Sequence, residues 1–583
     1  MKKLIAIVIF IGFGVILTVA IQRFYTTGHL PNNEVIPAFY ESGLNLVVED
    51  EHVIFTDKPK IIDGEILLPF DLVKKYFDPH IFWDEEVEKV TITTKDRVIR
   101  MKTNNLEAFV NNKPIVLNIP VIKENDKVYI PIEFLSDFYN IDTTFVAESS
   151  VIIIDYKAGF KQIATPIEAG AVIRSGRSDR EPIIRKFDAI SDEEENKLRI
   201  FEEYDNWYKV RTWDGAIGFI EKRYVVAKIV MDRDMEKSTQ ESLWEVEYGK
   251  INLVWDMVYT RREDPWSVGE MKGLDVISPT WFQLKNQEGD LINRAYSKYV
   301  EWAHDNGYKV WALLSNDFQD PDMTSKFLNN TESRENLIKQ ILAYSALYKL
   351  DGINIDFENF YERDRDAFTQ FMRELTPILK EQGLIVSVDV NDIPCYDKKA
   401  LSDIVDYVMY MSYDQHWRTS PVAGSVAQVT WQERILKRVL EVEKVPREKL
   451  LLGLPFYTRL WQEEIDENGQ KKLSNVALSM KDARNKIIKN NATTVWDDVS
   501  GQFYAQYEKD NSTFKIWLED ANSINLKTSL VHKYRLAGTC AWSRNFVSPE
   551  IWDVLYLNLK EIKSYQEWNE LNQQNEYIFL HIY

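Results

Sequence analysis

Leu350-Asp351-Gly352-Ile353-Asn354-Ile355-Asp356-Phe357-Glu358 decides how the chain is read. Ile353, Ile355 and Phe357 are apolar, and Asn354, Asp356 and Glu358 between them are polar. Successive side chains of a strand point to opposite faces, so this alternation predicts a short β-strand with an amide and two acids in one row. Such a row on a core-like strand is expensive unless it faces a site where its charge is used. Asp351 is out of phase with the row and reads as a structural residue where the strand begins.

Outward from this strand the texture is regular. Apolar runs at Ile251–Tyr259, Val276–Trp281, Lys309–Ser315, Gly352–Glu358, Ile385–Val390, Tyr407–Tyr413, Leu451–Phe456 and Gly538–Trp542 alternate with stretches of helical periodicity such as Ser333–Tyr348 and Arg365–Gln382. Eight such runs over roughly 310 residues predict a (β/α)8 TIM barrel at 245–563. Polar and aromatic residues gather at the C-terminal ends of most runs: Trp281, Asn316-Asp317, Glu358, Asn391-Asp392, Tyr413-Asp414, Tyr457 and Trp542. That is the face on which barrel active sites lie. Between the seventh and eighth runs, about 462–535, strand-like segments around Trp496, Phe503 and Trp517 predict a small α+β insertion forming one wall of a cleft. A tail, 564–583, follows the barrel.

The N-terminal half reads as several smaller pieces. Met1-Lys2-Lys3 precedes an apolar run from Leu4 to Ile21. Eighteen residues reach the lower limit for a membrane span. The run at 1–24 is a signal-anchor, or else a cleaved signal peptide, and Lys2 and Lys3 would stay in the cytoplasm. The expected location is the cell membrane, single-pass with the bulk of the chain extracellular, or secreted if the run is removed. A tether occupies 25–45. Then Leu68-Pro69-Phe70-Asp71-Leu72, Tyr76-Phe77, Trp83 and Val90-Thr91-Ile92 recur 62 residues later as Ile130-Pro131-Ile132-Glu133-Phe134, Phe138-Tyr139, Phe145 and Ile152-Ile153-Ile154. Each copy, within 46–158, predicts a strand end, a short helix and a β-hairpin. At 164–230, Arg174-Ser175-Gly176, Trp207-Tyr208-Lys209-Val210 and Asp214-Gly215-Ala216-Ile217-Gly218-Phe219-Ile220 predict a small β-barrel. Trp207 is either core packing or part of a binding surface.

Composition narrows the function classes. At 583 residues the chain needs more than one core. A net charge of −20 without a basic run argues against nucleic acid, whose binding needs a basic footprint. Cys395 and Cys540 form neither a disulfide framework nor a metal spacing and read as buried thiols. No histidine cluster accompanies the repeats, so no metal and no cofactor is expected.

Two carboxylates two apart on one strand form a coupled pair whose pKa values are pushed apart. Glu358, nearest the strand end, is expected to be the proton donor, its pKa raised by anionic Asp356. A group protonated near working pH suits general acid catalysis, as in glycosidic bond cleavage.

Four segments together carry a resemblance. Asp351-Gly352-Ile353-Asn354-Ile355-Asp356-Phe357-Glu358, Met411-Ser412-Tyr413-Asp414, Gly453-Leu454-Pro455-Phe456-Tyr457 and Gly538-Thr539-Cys540-Ala541-Trp542 resemble, in order, the motifs of glycoside hydrolase family 18, most closely its bacterial spore cortex fragment-lytic branch. The repeats resemble the copper amine oxidase N-terminal-like domain, and 164–230 resembles bacterial SH3-like domains, which commonly bind peptidoglycan peptides. Family 18 hydrolysis is substrate-assisted. The resemblance implies that Glu358 protonates the leaving oxygen, that Asp356 orients the 2-acetamido group, and that Tyr413 hydrogen-bonds its carbonyl. It implies a substrate-binding set of Asn354, Met411, Asp414, Tyr457 and Trp542, to which Trp281 is added as a stacking candidate. Trp417, Trp461 and Trp496 are each stacking or core residues. Asn354 departs from the pattern, because the family usually has an acid there to share a proton with Asp356. Asp256, in the first strand, reads as a salt-bridge partner rather than a site residue and is left out of the site. The expected substrate is peptidoglycan, with chitin as the competing glycan. The reading from another class is a surface protein that holds glycan without cutting it.

Overall fold

The computed structural model describes residues 31–39, 43–158, 160–188, 194–231, 246, 248–258, 269–465 and 471–573. The apolar run Leu4–Ile21 lies outside them. Among the described residues no helix is long and apolar enough to cross a membrane. The chain divides into two compact units.

The alternation in the opening stretch is what closes the second unit. Ile353, Ile355 and Phe357 pack outward in the layer between strands and helices, with Val254, Ile277, Val310, Val386 and Val388 from neighbouring strands. Leu253, Trp255, Trp311, Leu313, Met409 and Cys540 fill the interior. Eight strands make the barrel: Ile251–Asp256, Val276–Pro279, Lys309–Ser315, Gly352–Asp356, Ile385–Val390, Tyr407–Tyr410, Leu450–Pro455 and Gly538–Trp542. Every neighbouring pair is parallel, and pairing of the first strand with the eighth closes the ring. Gly352 is required by close approach, since a Cβ there would stand 2.7 Å from the Ile385 carbonyl oxygen. Asp351 marks the strand's N-terminal end, bonded by Lys309 Nζ at 2.9 Å and the Val310 N–H at 2.9 Å.

Two strand ends differ from expectation. The fourth strand stops at Asp356 and the sixth at Tyr410, so Glu358 and Tyr413 stand on the loops beyond. The chain turns there through left-handed residues, Asn359 (φ 54°) and Asp414 (φ 58°), a conformation that Asn and Asp tolerate better than most side chains.

The insertion is a five-stranded antiparallel sheet that starts at Tyr457 and ends at Trp517, with the helix Met480–Lys489 packed on it. Ala521–Tyr534, expected inside the insertion, is instead a barrel helix, opened by an Asp520 capping box. The tail begins with the helix Tyr565–Gln573, held by Trp568 Nε1–H donating to Asn525 Oδ1 at 3.0 Å.

Residues 82–100 and 109–113, which the repeat pattern assigns to the N-terminal module, group with the barrel in this unit. Buried charge joins them. Arg334 reaches Glu374 at 2.9 Å, Arg100 reaches Glu374 at 3.5 Å and Glu335 at 3.2 Å, and Lys89 reaches Glu335 at 2.8 Å. Burial alone would raise the Glu374 pKa, but the two guanidiniums outweigh it and hold the carboxyl below its ordinary range. A depressed folded-state pKa contributes stability that is present above the unfolded value and lost as pH falls through the folded one. Glu374→Gln leaves two buried guanidiniums short of a counter-charge, and is expected to destabilise this unit by about 3–5 kcal/mol in urea titration.

In the first unit the repeat has a direct structural expression. Strands Glu65–Pro69 and Lys127–Pro131 pair antiparallel with Leu68 opposite Ile130, the equivalent positions of the two copies. The first copy's helix forms at Phe70–Tyr76, but the second copy makes successive turns over 132–139. Lys74 and Lys75 suit the C-terminal end of the first helix, whereas Ser136 and Asp137 replace them in the second. The region after it, Phe160–Met231, is one seven-stranded sheet around Ile173, Leu198, Val210 and Ile220. Trp207 is half-buried on the wall of an open surface cavity, with Asn206, Glu221 and Lys222.

Candidate active site

A cavity of about 250 Å³ lies at the C-terminal ends of the barrel strands. Asp356, Glu358, Met411, Tyr413, Asp414, Tyr457 and Trp542 line it, all of them singled out by sequence. Trp255, Phe318, Asp389 and Asn391 complete the wall.

Glu358 is held by its backbone. Asn316, buried on the loop after the third strand, accepts the Glu358 N–H at 2.9 Å and donates Nδ2–H to its carbonyl at 2.8 Å. The Tyr396 hydroxyl donates to the Phe357 carbonyl at 2.8 Å. Three hydrogen bonds therefore fix the two residues past the strand end. The carboxyl is partly open to the cavity, with Asn391 Nδ2 3.4 Å from Oε2. Its pKa is raised to about 7, first by burial and then by the Asp414 charge. Asp414 is a charge the sequence reading did not foresee, and it adds to the mutual repulsion of Glu358 and Asp356. Asp356 is itself pushed well up, by burial, then Glu358, then Asp389. Removing the backbone clamp with Asn316→Ala is expected to lower kcat about a hundredfold with little change in KM, which steady-state kinetics reads directly.

The aromatic wall is a chain of edge and tilted contacts. Trp255 stands 6.1 Å from Trp542 and 6.5 Å from Tyr413, and Tyr413 stands 6.3 Å from Tyr457, centroid to centroid. The Tyr457 hydroxyl donates to Asp414 Oδ1 at 2.6 Å, and Arg459 approaches the same oxygen at 3.4 Å. Burial pushes the Tyr413 hydroxyl well up, so it remains a proton donor at any working pH.

Two expected substrate contacts are not in the cavity. Trp281 is fully buried in the layer between strands and helices, edge-on to Tyr299 at 5.1 Å. The second strand ends two residues before it, and its ring packs in that outer layer rather than at the mouth. Asn354 lies beneath the floor, bonded to Trp255, Ser387 and Asp389. Trp461 is core, donating Nε1–H to the Gly424 carbonyl at 2.8 Å, while Trp417 and Trp496 are exposed. Asp256 is an ion-pair partner of Arg544 at 2.8 Å. Asp389 is the cavity-lining acid that sequence reading missed, although Ser387 and Asp389 alternate with Val386, Val388 and Val390 as the opening row does with its apolar partners.

Residues 261–546 match the family described as Glycosyl hydrolases family 18, and 47–154 match the copper amine oxidase N-terminal domain. Residues 261–546 are a family 18 glycosyl hydrolase domain. The match spans Asp356, Glu358, Tyr413 and Trp542. The chain is 26% identical over 288 residues to the uncharacterized glycosylase YvbX of Bacillus subtilis, covering 46% of this chain and 80% of that protein. It is 25% identical over 239 residues to the cortical fragment-lytic enzyme of Bacillus subtilis, covering 39% of this chain and 54% of that one. Among solved structures, the spore cortex-lytic enzyme SleL of Bacillus cereus is 21% identical, with 54% of this chain and 75% of that chain covered and a TM-score of 0.49. The family 18 domain thus has relatives of modest identity, and the chain spans only about half the length of the cortical enzyme. The second domain's name invokes copper, yet among the described residues no group of His, Cys, Asp or Glu could hold a metal ion.

Proposed function

We propose that the protein is a retaining glycoside hydrolase that cleaves N-acetylglucosaminyl linkages in peptidoglycan, of the cell wall or the spore cortex, with the substrate's own 2-acetamido group as nucleophile. What supports this reading above all is the gathering of Glu358, Asp356, Tyr413 and Trp542 around one cavity, with Glu358 still half protonated near pH 7. Glu358 donates its proton to the leaving glycosidic oxygen. The acetamido oxygen attacks the anomeric carbon and an oxazolinium ion forms. Asp356 accepts the acetamido N–H and its charge offsets that of the cation. The Tyr413 hydroxyl donates to the acetamido oxygen, and Trp542 supplies an apolar floor. Glu358, now a carboxylate, takes a proton from the water that opens the ring. Holding the nucleophile within the substrate replaces an encounter by a positioned, intramolecular attack.

The names of the cortex-lytic relatives favour peptidoglycan, and chitin offers the same acetamido group. Purified peptidoglycan and chitin oligomers, digested side by side with mass analysis, separate the two. Reducing N-acetylglucosamine ends from peptidoglycan support the proposal, and products from chitin alone overturn the substrate. The run Leu4–Ile21 supports placing the catalytic domain outside the membrane, where such glycans lie. Protease added to intact cells is expected to digest it.

A further inference from the structure

Asn354 raises a question that the structure answers one strand away. Trp255 Nε1 can only donate, and it donates to Asn354 Oδ1 at 2.8 Å. That fixes the amide's orientation, because its oxygen must face the tryptophan. Its Nδ2 is thereby turned to the fifth strand, where it donates to Asp389 Oδ1 at 2.7 Å and lies 3.2 Å from Ser387 Oγ. All of these groups are buried. An acid at 354 would set a third carboxylate against Asp356 and Asp389, and the amide avoids that repulsion.

Asp389 and Asp356 line the same cavity. Each keeps one buried oxygen, Asp389 Oδ2 and Asp356 Oδ1, that has no hydrogen-bond partner among the described residues. The ionisable groups that face Asp389 are Asp356 and Glu358 from the fourth strand and its loop, Tyr396 from the loop after its own strand, Tyr413 from the loop after the sixth, and Cys540 from the eighth. All five are acids, and hydrogen bonds from Asn354 and Trp255 offset the Asp389 charge only in part, which leaves a shared proton to relieve the rest.

Building on the hydrolase reading above, we propose that Asp389 is the positioning residue that takes over the missing acid's task at 354, holding the proton that Asp356 gives up when it turns to the acetamido group. The balance is simple. In the free enzyme one proton and one negative charge are divided between Asp356 and Asp389. When substrate binds, the proton passes from Asp356 to Asp389 Oδ2, either directly or through one water. Asp389 Oδ1 goes on accepting from Asn354, and Asp356 is left as the anion that faces the oxazolinium. The pair carries one negative charge before and after, and the task has moved from the strand of Glu358 to its neighbour.

The test compares the full-length wild type with Asp389→Asn and with the exchange variant Asn354→Asp/Asp389→Asn, using peptidoglycan fragments. Asp389→Asn is expected to lower kcat about a hundredfold with KM little changed, and to move the acidic limb of the pH profile. The exchange variant, which returns an acid to the fourth strand, is expected to recover most of that loss. An unchanged kcat and profile in Asp389→Asn, or an exchange variant no better than the single one, overturns the assignment. An infrared titration of the free protein reads the pair without turnover. The protonated-carboxyl band is expected to titrate at lower pH in Asp389→Asn, since Asp356 has lost a like-charged neighbour, and an unmoved band counts against the proposal. If the wild type cuts no glycan while the band moves, it is the hydrolase reading that fails and not the pairing.

Discussion

Glu358→Gln is expected to lower kcat on an N-acetylglucosaminyl substrate by about a thousandfold or more, within the range that positioned general acids supply. The amide keeps the side chain's shape and the Asn316 clamp, which grips only the backbone, so the fold is expected to survive. What is lost is the proton. With the Glu358 pKa raised to about 7, the active, protonated form is full below that pH and declines above it. The wild-type kcat is therefore expected to fall as pH rises through about 7, and that limb is expected to vanish from whatever activity the glutamine variant retains. Burial and Asp414 are the two causes of the raised value. Asp414→Asn is accordingly expected to shift the limb to lower pH, as the repelling charge is gone.

The second large effect belongs to the substrate. An analogue with a hydroxyl in place of the 2-acetamido group offers no internal nucleophile. Intramolecular attack reaches effective molarities on the order of 10⁵ M and above, so cleavage of that analogue is expected to fall below detection under conditions where the parent is consumed. The cavity gives a reason in its own geometry, because Asp356 and Tyr413 line it and would face a carboxamide rather than a water-sized nucleophile. Ready cleavage of the analogue would point instead to a protein carboxylate as nucleophile.

Much of this was legible in the chain because two periods dominate it. Alternation placed Asn354 and Asp356 inside the barrel and Ile353, Ile355 and Phe357 outside it, as the structure has them. Trp542, at the end of the last strand, also fell where the strand pattern put it. Misreadings arose where the chain leaves the period. Trp281 lies past the end of its strand, and a tryptophan's burial depends on which way the following turn sends it. The share of Asp414 in the Glu358 shift was missed because Asp414 is distant in sequence and reaches the site only through the left-handed turn after the sixth strand. Asp389 was overlooked although its strand alternates as the opening one does, since a single acid at the end of a hydrophobic run draws less notice than two. The union of residues 82–100 with the barrel was hidden for another reason. A repeat pattern reports internal likeness, whereas Arg100, Arg334 and Glu374 meet through side chains from different halves of the chain.

The stereochemistry of the first product tests the central claim most directly. Proton NMR of the anomeric signals, recorded during turnover before mutarotation, distinguishes the two outcomes. Attack by the acetamido oxygen followed by water inverts the centre twice, so the β-anomer of N-acetylglucosamine is predicted to appear first, from wild type and not from Glu358→Gln. Early appearance of the α-anomer, or equal product from the glutamine variant, would contradict it.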